Sequence, residues 1–256
     1  MSDLTSMPPP KKQDMLEVVV IDESVALSIG DVGKGMSHGE FEGIKALHQV
    51  VPKGVPRPVA WGTYKSNPNI HFYLCDFVDM IEDLPDVPKF CALLAKLHMN
   101  SIPLSPNGKF GFHTMTYEGT MWQDTAWLLR PLESHGRKVT PVLVNGDIWY
   151  GNIAVKAETG EPIMFDPSVY WGHNEYDLDN MKVPRYRMGR PWMREYHKHM
   201  PISAPEEDYE DRINLYEIRG HLCASTLYPD TTVYRKLVIS EIRKLVEKFL
   251  DGYQGQ

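Results

Sequence analysis

The chain has 256 residues, of which 27 are basic and 34 are acidic, so its formal net charge is −7. This acidic balance argues against nucleic acid or an anionic membrane surface as the main partner. The sequence has no apolar run long enough to cross a membrane and no apolar signal-peptide core near its start. Three widely separated cysteines argue against a disulfide framework or a structural zinc site and favour a cytoplasmic location.

The first eighty residues are predicted to be mainly β-structure. Strands are predicted at 16–21 and 25–29, followed by a glycine-rich loop at 30–35. Apolar residues at helical spacing predict an amphipathic helix at 38–51, and the aromatic, apolar run at 71–78 has strand character. This part of the chain is therefore expected to form a small sheet with one helix.

The rest of the chain is predicted to be mainly helical. Helices are predicted at 87–101, 206–227 and 232–250, with a weaker helix at 125–136. Two β-like runs between residues 141 and 166 are joined by a polar turn and predict one β-hairpin.

These elements together predict an α+β protein. The division that we expect is a disordered tail at 1–14, a small β-rich lobe with one helix at 15–80 and a helical lobe at 81–256.

The segment that carries chemistry lies around the predicted hairpin. Asp147 follows an apolar run, Asn152 comes five residues later, and Asp166 ends the next apolar run. Two carboxylates and an amide oxygen are hard ligands that suit Mg²⁺, and an aspartate in such a loop can accept a proton from an attacking hydroxyl. Taken alone, Asp147 and Asn152 would be ordinary turn residues, but their combination with Asp166 favours a site.

The motifs GDxWxGN, FDP and GHxExDL in this region resemble those of the ketosamine-3-kinase (fructosamine/ribulosamine kinase) family. That family belongs to the aminoglycoside-phosphotransferase branch of the protein-kinase-like fold. The resemblance spans residues 25 to 250, and segments such as HGEFEGIKAL, VPRPVAWGTY and HFYLCDF are similar to the fungal members. It implies a two-lobed fold with a truncated N-terminal β lobe, ATP in the cleft and Mg²⁺ on the larger lobe.

The resemblance also implies roles for individual residues. Asp147 would be the catalytic base, and Asn152 and Asp166 would bind the metal. Glu40 would lie on the helix that supports the phosphate-binding lysine of the family. The hinge beside adenine would be formed by three consecutive residues, Asp76, Phe77 and Val78.

Several departures from the family pattern fall on nucleotide binding. Ser28 stands where the family has its lysine, and a hydroxyl cannot supply the cation that orients the phosphates. Lys34, expected in a loop, is the candidate substitute. The glycine-rich phosphate cover is not recognisable, and Asn145 replaces a histidine before the Gly-Asp pair. A helical stretch on the substrate side of the large lobe also has no counterpart.

Two interpretations are open for each of the other residues near the predicted site. His173 is expected to be a structural buttress near Asp166, or else an acid–base group. The neighbouring rings are expected either to pack in the core or to line a cleft that binds a polarised organic substrate. These rings are Trp149, Tyr150, Tyr170 and Trp171.

Three functions remain open at this point. The favoured hypothesis is a degenerate ketosamine-kinase-like protein that uses ATP poorly, binds a small organic molecule and acts as a biosynthetic acid–base catalyst of cyclisation, isomerisation or elimination. The second is an ATP- and Mg²⁺-dependent kinase of a ketosamine or a related hydroxyl compound. The third is a non-catalytic pseudokinase scaffold. The first hypothesis requires no cofactor.

Overall fold

The structure is a computed structural model that describes most of the chain. The described residues are 25–81, 83–118, 121–122, 138–183 and 186–248. The tail predicted at 1–14, the strand predicted at 16–21 and the weak helix predicted at 125–136 lie outside these ranges.

A three-stranded antiparallel sheet and one long helix form the small lobe. The strands are β1 (Val25–Ile29), β2 (Pro58–Thr63) and β3 (Ile70–Cys75), in the spatial order β1-β3-β2. The helix α1 (Gly30–Val50) packs on all three strands and, with 21 residues, is the longest element of the lobe. Its apolar face carries Ile44 and Leu47 into the core, as the sequence periodicity predicts.

The prediction of a glycine-rich loop at 30–35 is wrong, because these residues form the first part of α1. Gly30 makes the abrupt turn out of β1 with a φ of +75°, a conformation that costs glycine little. Gly33 allows the first helical turn to lie against β1, since a Cβ there would stand 2.8 Å from the carbonyl carbon of Ser28. These two glycines therefore serve a tight turn and a close approach.

A short link joins the small lobe to the large one. The strand predicted within 71–78 ends at Cys75, and β4 (Met80–Ile81) then pairs with a strand of the large lobe. At the start of the link, the backbone N–H of Asp76 donates to the carbonyl of Arg57 at 2.9 Å.

Helices form most of the large lobe, and α2 (Val87–Ser101) has the predicted bounds. Its N-cap is Asp86, whose side chain accepts from the N–H of Lys89 at 3.0 Å. The other helices are α3 (Asp179–Lys182), α4 (Arg190–Tyr196), α5 (Tyr209–Leu227) and α6 (Val233–Lys248). The last two confirm the C-terminal helices expected from the sequence. Among the described residues, no helix is long and apolar enough to span a membrane.

The predicted hairpin at 141–166 is only partly correct. Its second half is a true hairpin of β8 (Ile153–Lys156) and β9 (Pro162–Met164). Its first strand, β7 (Val142–Val144), pairs instead with β10 (Tyr170–Gly172) in a separate ladder. The reason is the polar loop between β7 and β8, which breaks the apolar run and turns the chain into another sheet. A short ladder of β5 (Tyr117–Glu118) and β6 (Met121–Trp122) completes the strands described.

Candidate active site

The structure brings Asp147, Asn152 and Asp166 together, as the sequence predicts. Asn152 is 1% exposed and links the other two. Its Nδ2 donates to the Asp147 carboxylate at 2.7 Å, to the Asp147 carbonyl at 3.1 Å and to the Asp166 carbonyl at 3.1 Å. The amide thus fixes the position of one carboxylate relative to the segment that carries the other.

The loop from residue 145 to 152, here called the catalytic loop, is held by backbone geometry. Gly146 has a φ of +84°, and a Cβ at this position would clash with the carbonyl oxygen of Ser168. Asp166, just after β9, also has a positive φ of 51°, which is uncommon for a residue other than glycine. Such backbone strain is found preferentially at functional sites.

A buried hydrogen-bond network, which the sequence patterns do not predict, anchors the catalytic loop. The Asp177 carboxylate accepts from the backbone N–H groups of Asn145 and Gly146, both at 2.7 Å. It also lies 3.0 Å from Nε2 of His98 on α2, and both side chains are fully buried. Nδ1 of His98 lies 2.7 Å from the Tyr196 hydroxyl. Asp177 belongs to the GHxExDL motif, which is the signal that could have identified it.

The donor set around Asn152 fits a magnesium ion. Two carboxylates and an amide oxygen are available, and within the described residues the Asn152 Oδ1 is buried without a hydrogen-bond partner. The described part of the chain holds no cluster of three His, Cys, Asp or Glu side chains that could bind a metal. Asn152 and Asp166 are the residues that would hold Mg²⁺, with Asp147 beside them as the expected base.

Ser28, which the resemblance aligns with the phosphate-binding lysine, offers no cation for a phosphate. Ser28 Oγ donates to the carbonyl of Gly33 at 2.7 Å and lies 2.6 Å from the hydroxyl of Ser37. These contacts fasten the start of α1 to β1. Lys34, the candidate substitute, is exposed on α1 and not in a loop, while Glu40 is half-buried further along the helix.

The expected hinge residues lie in the link between β3 and β4. The Asp76 carboxylate forms a bidentate ion pair with Arg57 at 2.7 and 2.8 Å. Phe77 is 59% exposed and Val78 is half-buried. The ion pair closes the start of the link, but at the surface it contributes little stability.

The four aromatic residues separate into different environments. Trp149 and Tyr150 lie in the catalytic loop, and their rings meet at 5.0 Å. Trp171 is almost buried in the main core, and its backbone pairs with Gly111. Tyr170 is fully buried against Tyr176 inside the large lobe, and burial raises the pKa of its hydroxyl. Tyr170 is therefore placed where a substrate would not reach it, whereas Trp149 is 9% exposed and Tyr150 is half-buried.

His173 lies in the interior of the large lobe. It is 3% exposed, and its ring nitrogens lie 2.7 Å from the Tyr216 hydroxyl and 2.8 Å from Ser203 Oγ. Burial lowers the pKa of His173 to about 4, so the ring is neutral near pH 7. Since both nitrogens are engaged by buried side chains, the geometry favours its structural role over acid–base chemistry.

The family model of fructosamine kinase matches residues 31–130 and 131–248. The chain belongs to the fructosamine kinase family. The relatives of this family member include a chloroplastic protein-ribulosamine 3-kinase of Arabidopsis thaliana, which is 24% identical over 74% of this chain and 67% of that protein. A ketosamine-3-kinase of Mus musculus is 32% identical over a shorter stretch, 37% of this chain and 27% of that protein.

Solved structures share the fold of this family member. A Haemophilus somnus protein, described provisionally as a fructosamine-3-kinase, has a TM-score of 0.67 at 16% identity, covering 87% of this chain and 83% of that chain. An aminoglycoside 2'-phosphotransferase-IIIa variant with GDP has a TM-score of 0.54 at 13% identity, with 91% and 87% covered. The expected α+β, protein-kinase-like fold is thus confirmed.

Proposed function

We propose that this member of the fructosamine kinase family binds a small organic molecule in the cleft between its lobes and uses ATP poorly. The proposal rests on a contrast between the catalytic-loop end and the small-lobe end of the site. Asn152 holds Asp147 beside Asp166, whereas Ser28 is tied to α1 where the family lysine would meet phosphate. The two carboxylates of the family site are present, but residue 28 does not supply the cation that would bind the phosphates.

The chemistry available at this site is acid–base chemistry by Asp147. Its carboxylate is held by Asn152, and its loop is fixed by Asp177, so the base needs little reorganisation to accept a proton from a bound hydroxyl or a carbon acid. Tyr150, in the same loop, is half-buried and would supply apolar contact area for an organic substrate, with the Trp149 ring packed against it. A biosynthetic cyclisation, isomerisation or elimination would suit this arrangement and requires neither ATP nor a metal.

The alternative is an ATP- and Mg²⁺-dependent kinase of a ketosamine, which is favoured by the same three residues. Asn152 and Asp166 would hold Mg²⁺, and the bound ion would supply charge neutralisation at phosphate oxygens. The chain itself would contribute the base and its orientation, as in the first proposal. The division into lobes at 15–80 and 81–256 is part of both proposals, with the hinge at Asp76, Phe77 and Val78.

A turnover assay separates the two functions. The protein is given Mg²⁺-ATP and 1-amino-1-deoxyfructose, and ADP release is followed beside a ketosamine-3-kinase measured in parallel. We expect ADP release at least about 100-fold below that of the active kinase, because neither the phosphate-binding lysine nor the glycine-rich phosphate cover of the family is recognisable in this sequence. A comparable rate that Asp147→Asn abolishes would contradict the proposal and establish the kinase. Asp83→Asn, which changes an exposed carboxyl, is the matched control.

A further inference from the structure

The C-terminal helix α6 has two apolar faces, and the fold buries only one of them. The helix packs against α5, and on the packed side Tyr234 and Val238 are 4% and 5% exposed. On another side of the helix, Ile239, Ile242 and Val246 are 44%, 43% and 57% exposed. A surface helix ordinarily carries a single apolar face, directed towards the core. The second face is therefore an indication of a contact outside this fold.

The three exposed side chains form one continuous stripe. They follow one another at intervals of three and four residues, which places them on the same side of a helix, over a length of about 10 Å. Amphipathic helices dock on other proteins through apolar side chains at this spacing. The stripe therefore has the length and the spacing of a docking surface for a helix.

A basic groove lies along the same helix. Its volume is about 350 Å³, and it is lined by Lys236, Ile239, Ser240, Arg243, Lys244 and Glu247. Lys244 is paired with Glu241 at 2.6 Å, whereas Lys236 and Arg243 make no ion pair with any described residue. The chain as a whole has a net charge of −7, so this groove, with three cations and one acid, is opposite in sign to the whole chain.

The charge and shape of this surface favour one kind of occupant. In a symmetric dimer through α6, the basic groove of one copy would face that of the other, and like charges would repel. A bilayer is broad and anionic, whereas this surface is a groove that also holds Glu247. Lys236 and Arg243 lie seven residues, or two helical turns, apart. Carboxylates two turns apart on an aligned helix would therefore meet both cations.

We propose that this surface, which we call the α6 surface, docks an acidic amphipathic helix of another protein. The apolar residues of the partner would cover the stripe from Ile239 to Val246, and its carboxylates would pair with Lys236 and Arg243. Burial of the aliphatic side chains supplies most of the affinity, and the ion pairs set the register and the choice of partner. No residue of the candidate active site belongs to the α6 surface, so the docking does not depend on the proposed function.

Fluorescence anisotropy with two synthetic peptides tests this docking on the full chain. The first probe is a fluorescein-labelled peptide of about 20 residues, with leucines at helical spacing and glutamates beside them, and the second has lysines in place of the glutamates. The glutamate peptide should bind with a micromolar dissociation constant, at least about tenfold more tightly than the lysine peptide. Ile242→Asp should weaken binding of the glutamate peptide at least about tenfold, and Arg243→Glu about 3- to 10-fold.

Matched controls come from exposed residues elsewhere on the large lobe. Leu104 is 53% exposed, and Arg194 is an exposed arginine on α4. Leu104→Asp and Arg194→Glu should change binding by less than about twofold. All four substituted side chains are exposed, so the variants should fold like the wild type, and far-UV circular dichroism checks this.

Several results would overturn the inference. They are equal binding of the two peptides, absence of binding at a peptide concentration of about 1 mM, and binding that Ile242→Asp leaves unchanged. Binding of the wild type to phosphatidylserine vesicles that Ile242→Asp abolishes would assign the stripe to a membrane surface. A dimer in sedimentation equilibrium that Ile242→Asp dissociates would assign it to a second copy of the chain. Either of these two results would also overturn the inference.

Discussion

The two ends of the candidate site differ in how their polar groups are held. At the catalytic loop, a carboxylate, an amide and a buried histidine are connected by hydrogen bonds that reach from Asp147 to Tyr196. At the small-lobe end, Ser28 on β1 donates to the carbonyl of Gly33 and contacts the hydroxyl of Ser37, both on α1. The polar groups of the first end hold one another in place, whereas Ser28 at the second end only fastens the start of α1 to β1. This contrast supports the proposal that the acid–base half of the site is kept while the phosphate-binding half has changed.

The largest expected effect on the contrast between the two ends comes from a substitution of Asp177. Asp177→Ala should lower the free energy of unfolding by about 3–5 kcal/mol, because it removes a buried carboxylate that accepts from two backbone N–H groups and contacts His98. Urea unfolding followed by circular dichroism measures this change. Asp83→Ala, at an exposed position, serves as the control and should be near neutral. A loss below about 1 kcal/mol for Asp177→Ala would show that the catalytic loop is not anchored in this way.

Two glycine substitutions also test how the catalytic loop is held. Gly146→Ala should cost about 2–4 kcal/mol, because it combines a left-handed backbone conformation with a clash against the Ser168 carbonyl. Gly160→Ala has a similar φ of +68°, but no atom lies within 4 Å of the added Cβ, so only about 1–2 kcal/mol is expected. Chemical denaturation of both variants gives the difference. Equal costs would mean that Gly146 is needed only for its backbone conformation.

At the small-lobe end, Ser28→Lys tests whether a lysine at this position improves nucleotide binding. The variant loses the hydroxyl contacts to Gly33 and Ser37 and must accommodate a longer chain against α1, so a loss of about 1–3 kcal/mol is expected. Binding of Mg²⁺-ATP should improve by less than tenfold, because α1 fills the space around residue 28. A gain of a hundredfold or more in calorimetry would show that the serine alone impairs nucleotide binding.

The smallest expected effect is a pH dependence of stability that arises from His173 and distinguishes a structural role from acid–base chemistry. Its pKa is lowered to about 4 in the folded protein from an ordinary value near 6.5, so the unfolded state binds the proton more readily. Stability from this group is therefore full above pH 6.5 and is lost as the pH falls towards 4. Between pH 7 and 5.5 the loss should be about 1 kcal/mol.

His173→Gln should flatten this pH dependence in urea unfolding measured at the two pH values. His197, whose pKa is also lowered by burial, acts in the same direction, so His197→Gln is the comparison variant. An unchanged pH profile in His173→Gln would contradict the assignment of a buried, neutral ring.

The sequence predicts the catalytic loop well because its information is local. Asp147 and Asn152 are five residues apart, and Asp166 ends the strand that pairs with the one after the loop. The anchor is different, since His98 and Asp177 are 79 residues apart and meet only through tertiary packing. No spacing rule connects a helix residue with a distant motif aspartate.

The start of α1 and the burial of Tyr170 could not be predicted for related reasons. A glycine-rich stretch is compatible with a loop or with a helix that approaches a strand closely, and only the contact between Gly33 and Ser28 decides between them. Tyr170 is close in sequence to Asp166, but β10 turns its ring into the large lobe. Sequence proximity to a site therefore did not translate into access to it.

The proposal that this chain uses ATP poorly is tested most directly by calorimetric titration with Mg²⁺-ATP. The loss of two charge-assisted contacts, each worth about 1.5–3 kcal/mol, predicts binding weaker by roughly two to four powers of ten than that of an active relative measured alongside. A dissociation constant equal to that of the relative, with binding abolished by Asp166→Asn, would contradict the account and establish a working nucleotide site.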